Sequence, residues 1–191
     1  MQRRGRFSHR QVVNPSDSDL LRRARRDPSA FATLYERHGS AVARFLARRV
    51  GAQAAEDLLA EVFTAAFAAR LRVVPHESGS ALPWLYGIAH NVVRTHLRRR
   101  PGVPLVELHA TVDWDAVDAR LDAGARRVEL RTALDSLSPG ERDLLLLVAW
   151  EGLSPAEAGE ALGLTPTAAR SRLHRARMRA QSALDSCERT S

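Results

Sequence analysis

Apolar residues recur at helical spacing along most of the chain. From Phe31, the positions Leu34, Tyr35, Val42, Phe45 and Leu46 follow three-and-four steps, and Ala54, Leu58, Val62, Ala65 and Ala66 repeat the pattern in the next stretch. This predicts two amphipathic helices joined near Gly51. A loop rich in Pro, Gly and Ser follows over 74–83. Trp84, Leu85, Ile88, Val92 and His96 then begin another helical stripe, which runs into Arg98, Arg99 and Arg100 before Pro101-Gly102 stops it. Farther on, segments at about 126–136, 139–151, 155–162 and 166–184 read as four more helices, with connections too short to hold strands.

The punctuation between these segments agrees with the periodicity. Asp27-Pro28, Ser138-Pro139, Ser154-Pro155 and Thr165-Pro166 each place proline at a first helical position, where its missing N–H costs nothing. Ser138 and Ser154 are followed three residues later by Glu141 and Glu157, the spacing of a capping box. Between Pro101 and Gly124 the charge changes sign, with Glu107, Asp113, Asp115, Asp118 and Asp122 facing Arg120 alone. The chain is therefore expected to be all-α: two small helical bundles, at 16–100 and 126–185, joined by a flexible acidic linker at 101–125. Residues 1–15 read as a disordered basic arm and 186–191 as a tail.

Composition narrows the function. The 191 residues include 29 basic side chains, every one an arginine, against 22 acids, a formal net charge of +7 that favours a polyanionic partner. Apolar residues make up 45% and aromatics 5%, which suits helices and excludes a β-sandwich. The longest aliphatic run, Leu144 to Val148, falls far short of the roughly 20 residues that cross a bilayer, so no membrane insertion is expected. The arginines of Met1 to Arg10 precede no apolar core, unlike a secretory signal. Cys187 is a lone cysteine, which removes a disulfide framework or a Cys-based zinc site and fits a reducing cytoplasm. The seven histidines show no metal-ligand spacing, and no nucleophile–base arrangement stands out. No cofactor, metal or catalytic residue is expected.

The sharpest local signal is Ser154 to Arg179. A short helix to Leu162, a stop at Gly163 and a new start at Thr165-Pro166 have the length and punctuation of a helix-turn-helix. In its second helix Ala169, Leu173 and Ala176 form the inward stripe. Arg170, His174 and Arg177 point outward, with Arg172, Arg175 and Arg179 close by. Five arginines without an intervening acid repel one another in isolation, and DNA phosphates and guanine edges would relieve that repulsion. A helix-turn-helix alone does not name a role. A stand-alone transcriptional regulator with an N-terminal sensing or dimerisation bundle fits it as well.

The first bundle separates these readings. Asp57-Leu58-Leu59-Ala60-Glu61-Val62-Phe63 resembles the D-L-x-Q-E-V-F signature of the second conserved region of sigma-70-type factors. Trp84-Leu85-Tyr86-Gly87-Ile88-Ala89-His90-Asn91 resembles the W-L-Y-x-I-A-x-N that opens their promoter-melting helix, and Ser171 to Arg177 matches the S-R-L-H-R-A-R of their last helix. Three motifs in order resemble a sigma factor of the extracytoplasmic-function (ECF) group, over about residues 17–100 and 126–184. The chain departs from the family at Ala60, at Thr95-His96, at Thr167-Ala168-Ala169, and in a 74–83 loop without the Phe-Arg-Gly string.

The resemblance implies a non-enzymatic, cytoplasmic initiation factor that binds core RNA polymerase and directs promoter-specific transcription. Asp57, Leu58 and Glu61 would dock on the largest polymerase subunits. Asn91, Arg94, Arg98 and Arg99 would contact the separated strand of the −10 element. Arg170, Ser171, His174 and Arg175 would read the −35 element in duplex DNA. Trp84 would belong to the core rather than stack on a base. Members of the group are commonly held inactive by an anti-sigma factor, so that partner is implied too.

Overall fold

Eight helices form around a largely continuous apolar core. The computed structural model describes residues 14–74, 76–99 and 124–188, and among them there is no strand. The first bundle contains α1 (Asp17–Ala24), α2 (Ala30–Val50), α3 (Ala52–Ala69) and α4 (Leu82–Arg98); the second contains α5 (Gly124–Asp135), α6 (Pro139–Ala149), α7 (Pro155–Ala161) and α8 (Pro166–Glu188). The acidic linker up to Ala123, and the arm before Asn14, lie outside the described residues.

Most boundaries follow from residue chemistry. Gly51, at φ 81°, takes the left-handed turn between α2 and α3 that a side chain would resist. The capping box predicted at Ser154 is present: Glu157 N donates to Ser154 Oγ at 3.2 Å, and Ser154 N donates to Glu157 Oε2 at 2.9 Å. At Ser138, the backbone N donates to Glu141 Oε2 at 3.0 Å. A third box, missed by apolar periodicity, starts α1, where Asp19 N donates to Ser16 Oγ at 3.1 Å and Asp19 Oδ2 accepts from Ser16 N at 3.2 Å. Aspartate replaces the usual Glu, which is why the pattern is easily overlooked.

Three expected limits shift. Helix α2 begins at Ala30, because Asp27 Oδ1 accepts from Ser29 N and ties Asp27-Pro28 into a turn ahead of it. Helix α8 runs to Glu188, past the expected end at 184 and into the expected tail. Asn14 and Pro15, assigned to the arm, are held by Arg37, whose guanidinium donates to Pro15 O at 3.0 Å and Asn14 Oδ1 at 2.9 Å.

Asp17 ties the first bundle together. Its carboxylate accepts from Arg37 at 2.5 Å and His38 at 2.6 Å on α2, and from the Ala81 amide at 2.9 Å just before α4. In the second bundle α8 packs on α5, α6 and α7. The bundles also meet directly, as α4 lies against α7 and one apolar cluster runs from Leu20 through Leu85 to Leu173.

Candidate nucleic-acid interface

The helix-turn-helix forms as its sequence predicts. Gly163, at φ 67°, makes the turn after α7, and its amide donates to Glu160 O at 3.0 Å. Gly159 lets α7 and α8 approach closely, since a Cβ there would lie 2.6 Å from the Ala169 methyl. Ala169, Leu173 and Ala176 are buried, which fixes the rotation of α8. That rotation leaves Arg170, Ser171, His174 and Arg175 exposed, on adjoining turns of one face. Arg170 also donates from Nε to Pro166 O at 3.3 Å.

Two neighbouring arginines do not share that freedom. Arg179 donates to Glu141 Oε2 at 2.7 Å, and the Arg172 guanidinium lies over Gly140, where an added Cβ would be 3.1 Å from Nη1. Both hold α8 to the start of α6. Burial pushes the Glu141 carboxyl upward, but its hydrogen bonds from Ser138 and the Arg179 charge outweigh that and hold it below the ordinary carboxylate range.

Along α4, Leu85 and Tyr86 are buried, and Trp84 is half-buried against the core, in keeping with a packing role. Asn91 is exposed and Arg94 half-buried; with Trp84 and His90 they line a cleft of about 450 Å³ whose far wall is Glu160 to Gly163 of the helix-turn-helix. Arg98 and Arg99 are exposed at the end of the helix. The preceding loop is pinned on both sides. Arg25 donates to Val73 O at 3.2 Å, and His76 Nε2 lies 3.4 Å from Glu160.

The patch on α3 needs a correction. Asp57 and Glu61 are exposed, but Leu58 is only 3% exposed, because its place in the apolar stripe turns it into the bundle. It cannot touch a partner, and serves instead to hold the acidic face outward. Beside that face the rings of Tyr35 and Phe67 reach the surface, stacked edge-on against Phe63 and Phe31 respectively.

The contacts between bundles were not foreseen. Tyr86 Oη donates to Glu151 Oε2 at 3.0 Å, Arg48 pairs with the same carboxylate, and Arg49 Nη2 lies 3.6 Å from Asp143 Oδ1. Burial, then the charge and hydrogen bond of Glu151, push the Tyr86 phenol well above its ordinary range. No periodicity or motif points to such contacts, since they join residues about a hundred positions apart.

Comparison with known proteins agrees with these features. The family model for sigma-70 region 2 matches residues 34–101, and that for sigma-70 region 4 matches 127–179. The chain is 38% identical to the RNA polymerase sigma factor CarQ of Myxococcus xanthus, over 76% of this chain and 84% of CarQ. It is 37% identical to the ECF RNA polymerase sigma factor SigF of Caulobacter vibrioides, over 70% and 73% of the two chains. Among solved structures, CnrH in complex with the cytosolic domain of CnrY is similar at a TM-score of 0.61 and 27% identity, covering 90% of this chain and 99% of CnrH. The chain belongs to the sigma-70 family of RNA polymerase sigma factors, in its extracytoplasmic-function group. Such factors are DNA-binding initiation factors and not enzymes. Among the described residues, no helix is long and apolar enough to cross a membrane.

Proposed function

We propose that this protein binds core RNA polymerase through the acidic face of α3, opens the −10 element with α4, and reads the −35 element with α8. The observation that carries the reading is the fixed rotation of α8: burial of Ala169, Leu173 and Ala176 presents Arg170, Ser171, His174 and Arg175 outward from the second helix of a helix-turn-helix. The assignment of Asn91, Arg94, Arg98 and Arg99 to the −10 strand is supported by their common helix, downstream of a loop, and by their charge. Asp57 and Glu61 supply acidic groups for a basic polymerase surface. The role places the protein in the cytoplasm, under the control of an anti-sigma factor that covers these surfaces.

Reconstitution with core polymerase tests the reading directly. Run-off transcripts are expected from the promoter upstream of the protein's own gene, and reversing both Asp57 and Glu61 to arginine should abolish them together with co-purification of core. Arg175→Ala should cost roughly 1–3 kcal/mol at the −35 sequence and relax the preference there. Tight, specific promoter binding by the chain alone, unaffected by core polymerase, would favour the stand-alone regulator instead.

A further inference from the structure

The seam between the bundles has a consistent polarity. Every ionic or phenolic group from the first bundle is a cation or a donor, namely Arg48, Arg49, His76, Tyr86 and His90. The groups they meet, Asp143, Glu151, Glu157 and Glu160, are all carboxylates. Arg48 also lies over the Trp150 ring, 5.7 Å from its centroid. A basic surface that DNA would engage is here occupied by the protein's own acids.

The seam also sits on the DNA-reading surface of α4. Gly87 admits α7 so closely that a Cβ there would be 3.0 Å from Ala161 O, and the wall from Glu160 to Gly163 faces Asn91 and Arg94 across the cleft. Promoter geometry makes this arrangement incompatible with use of both elements. The −10 and −35 elements lie roughly 25 base pairs apart, about 85 Å along B-DNA. In the structure α4 touches the first helix of the helix-turn-helix, and the whole of α8 is only about 35 Å long. Residues 100–123, fully extended, could reach roughly 80 Å, so the chain itself permits separation.

We propose that this seam is an autoinhibitory latch: Glu151 and Asp143, clasped by Arg48, Arg49 and Tyr86, hold α7 over α4, and docking on core polymerase must part the bundles before DNA is read. Buried ion pairs suit this task. Desolvation offsets most of their attraction, so the clasp gives a defined closed geometry at little net stability and opens without a large penalty. Interfaces between domains of one chain are typically of this polar, openable kind.

The test uses the full chain with Cys187→Ser, dyes on cysteines placed at Ala32 and Ser182, and the inter-dye distance as readout. The free protein should show one short distance that lengthens when core polymerase is added. Glu151→Arg should lengthen it without core, and should tighten binding of a labelled single-stranded DNA of mixed sequence at least roughly tenfold. The double swap Arg48→Glu/Glu151→Arg should restore the short distance. Gly87→Leu, which pushes on Ala161 O rather than on a charge, should open the seam independently, and circular dichroism identifies any variant that merely unfolds. The latch is overturned if the free protein already shows the long distance, or if both Glu151→Arg and Gly87→Leu leave the distance unchanged. Opening without tighter DNA binding, in a chain that supports run-off transcription, removes its inhibitory role. The inhibitory role rests on the sigma reading but the distance measurement does not, so absent transcription would sink that reading while the distances still decide the latch.

Discussion

Asp17 and Asp143 are both nearly inaccessible, at 6% and 2% exposure, yet their surroundings push them in opposite directions. Burial raises the Asp17 carboxyl, but the Ala81 amide, Arg37 and His38 more than reverse this and hold it below the ordinary aspartate range. At Asp143 burial wins. Arg49 stands 3.6 Å away and His90 3.8 Å away, too far to satisfy the charge fully, and the carboxyl is pushed up to about 6. One aspartate joins three segments within a bundle, while the other joins two bundles across a seam. A carboxylate saturated with donors at 2.5–2.9 Å acts as a permanent fastener, and one held loosely by a distant cation as a releasable one.

The largest effect that can sharpen this contrast is expected at Asp17. Asp17→Ala leaves His38 and the Ala81 amide without their acceptor and should cost the first bundle about 3 kcal/mol, read as a lower urea midpoint at unchanged slope. A loss below about 1 kcal/mol would mean that the triad is not the fastener described. Next comes pH. Asp17, with its lowered pKa, contributes stability that is intact above about 4, near the ordinary aspartate value, and is lost as pH falls through its own lower value. Asp143 has the opposite sign: its ionised form is disfavoured in the closed state, so its cost fades and closure strengthens as pH falls from about 6 toward 4. Arg49, Arg142 and His90 face this carboxyl, and a protonated His90 would act in the same direction. The difference between wild type and Asp143→Asn, followed by inter-dye distance in mild urea, should change by less than about 1.4 kcal/mol per pH unit, in favour of closure toward acid.

Smaller still is the expected cost of Asp143→Asn at neutral pH. Removing the buried charge relieves desolvation and deprives Arg49 of its counter-ion, two terms that nearly cancel, so the unfolding free energy should change by no more than about 1 kcal/mol. A loss as large as that at Asp17 would erase the distinction between the two aspartates.

The sequence read well wherever chemistry was local. The capping serines, Gly51, Gly163 and the Ala169/Leu173/Ala176 stripe are each decided within a turn or two of helix, and the structure places each as periodicity and punctuation require. The outward set on α8 followed from the same stripe, since a helix with one face buried leaves little choice for the other. Leu58 failed for an instructive reason. A family motif joins neighbours in sequence, whereas a helix turns successive residues about 100° apart, so Asp57 and Leu58 cannot both face a partner. The seam was illegible because Arg48, Tyr86, Asp143 and Glu151 look like ordinary amphipathic-helix residues until the two bundles are brought together. Helix α1 escaped because its eight residues carry too few apolar positions to establish a period.

Glu141 carries one consequence beyond its place in the helix-turn-helix bundle. The same oxygen that accepts from the Ser138 amide also receives Arg179, 38 residues away. Glutamine can complete a capping box as well as glutamate does, but it carries no charge for an arginine. Position 141 therefore lets one substitution separate spelling from syntax: Glu141→Gln should leave the start of α6 unchanged in amide exchange while loosening the far half of α8. A catalogue of tolerated residues that scored this site by helix content alone would record the change as silent.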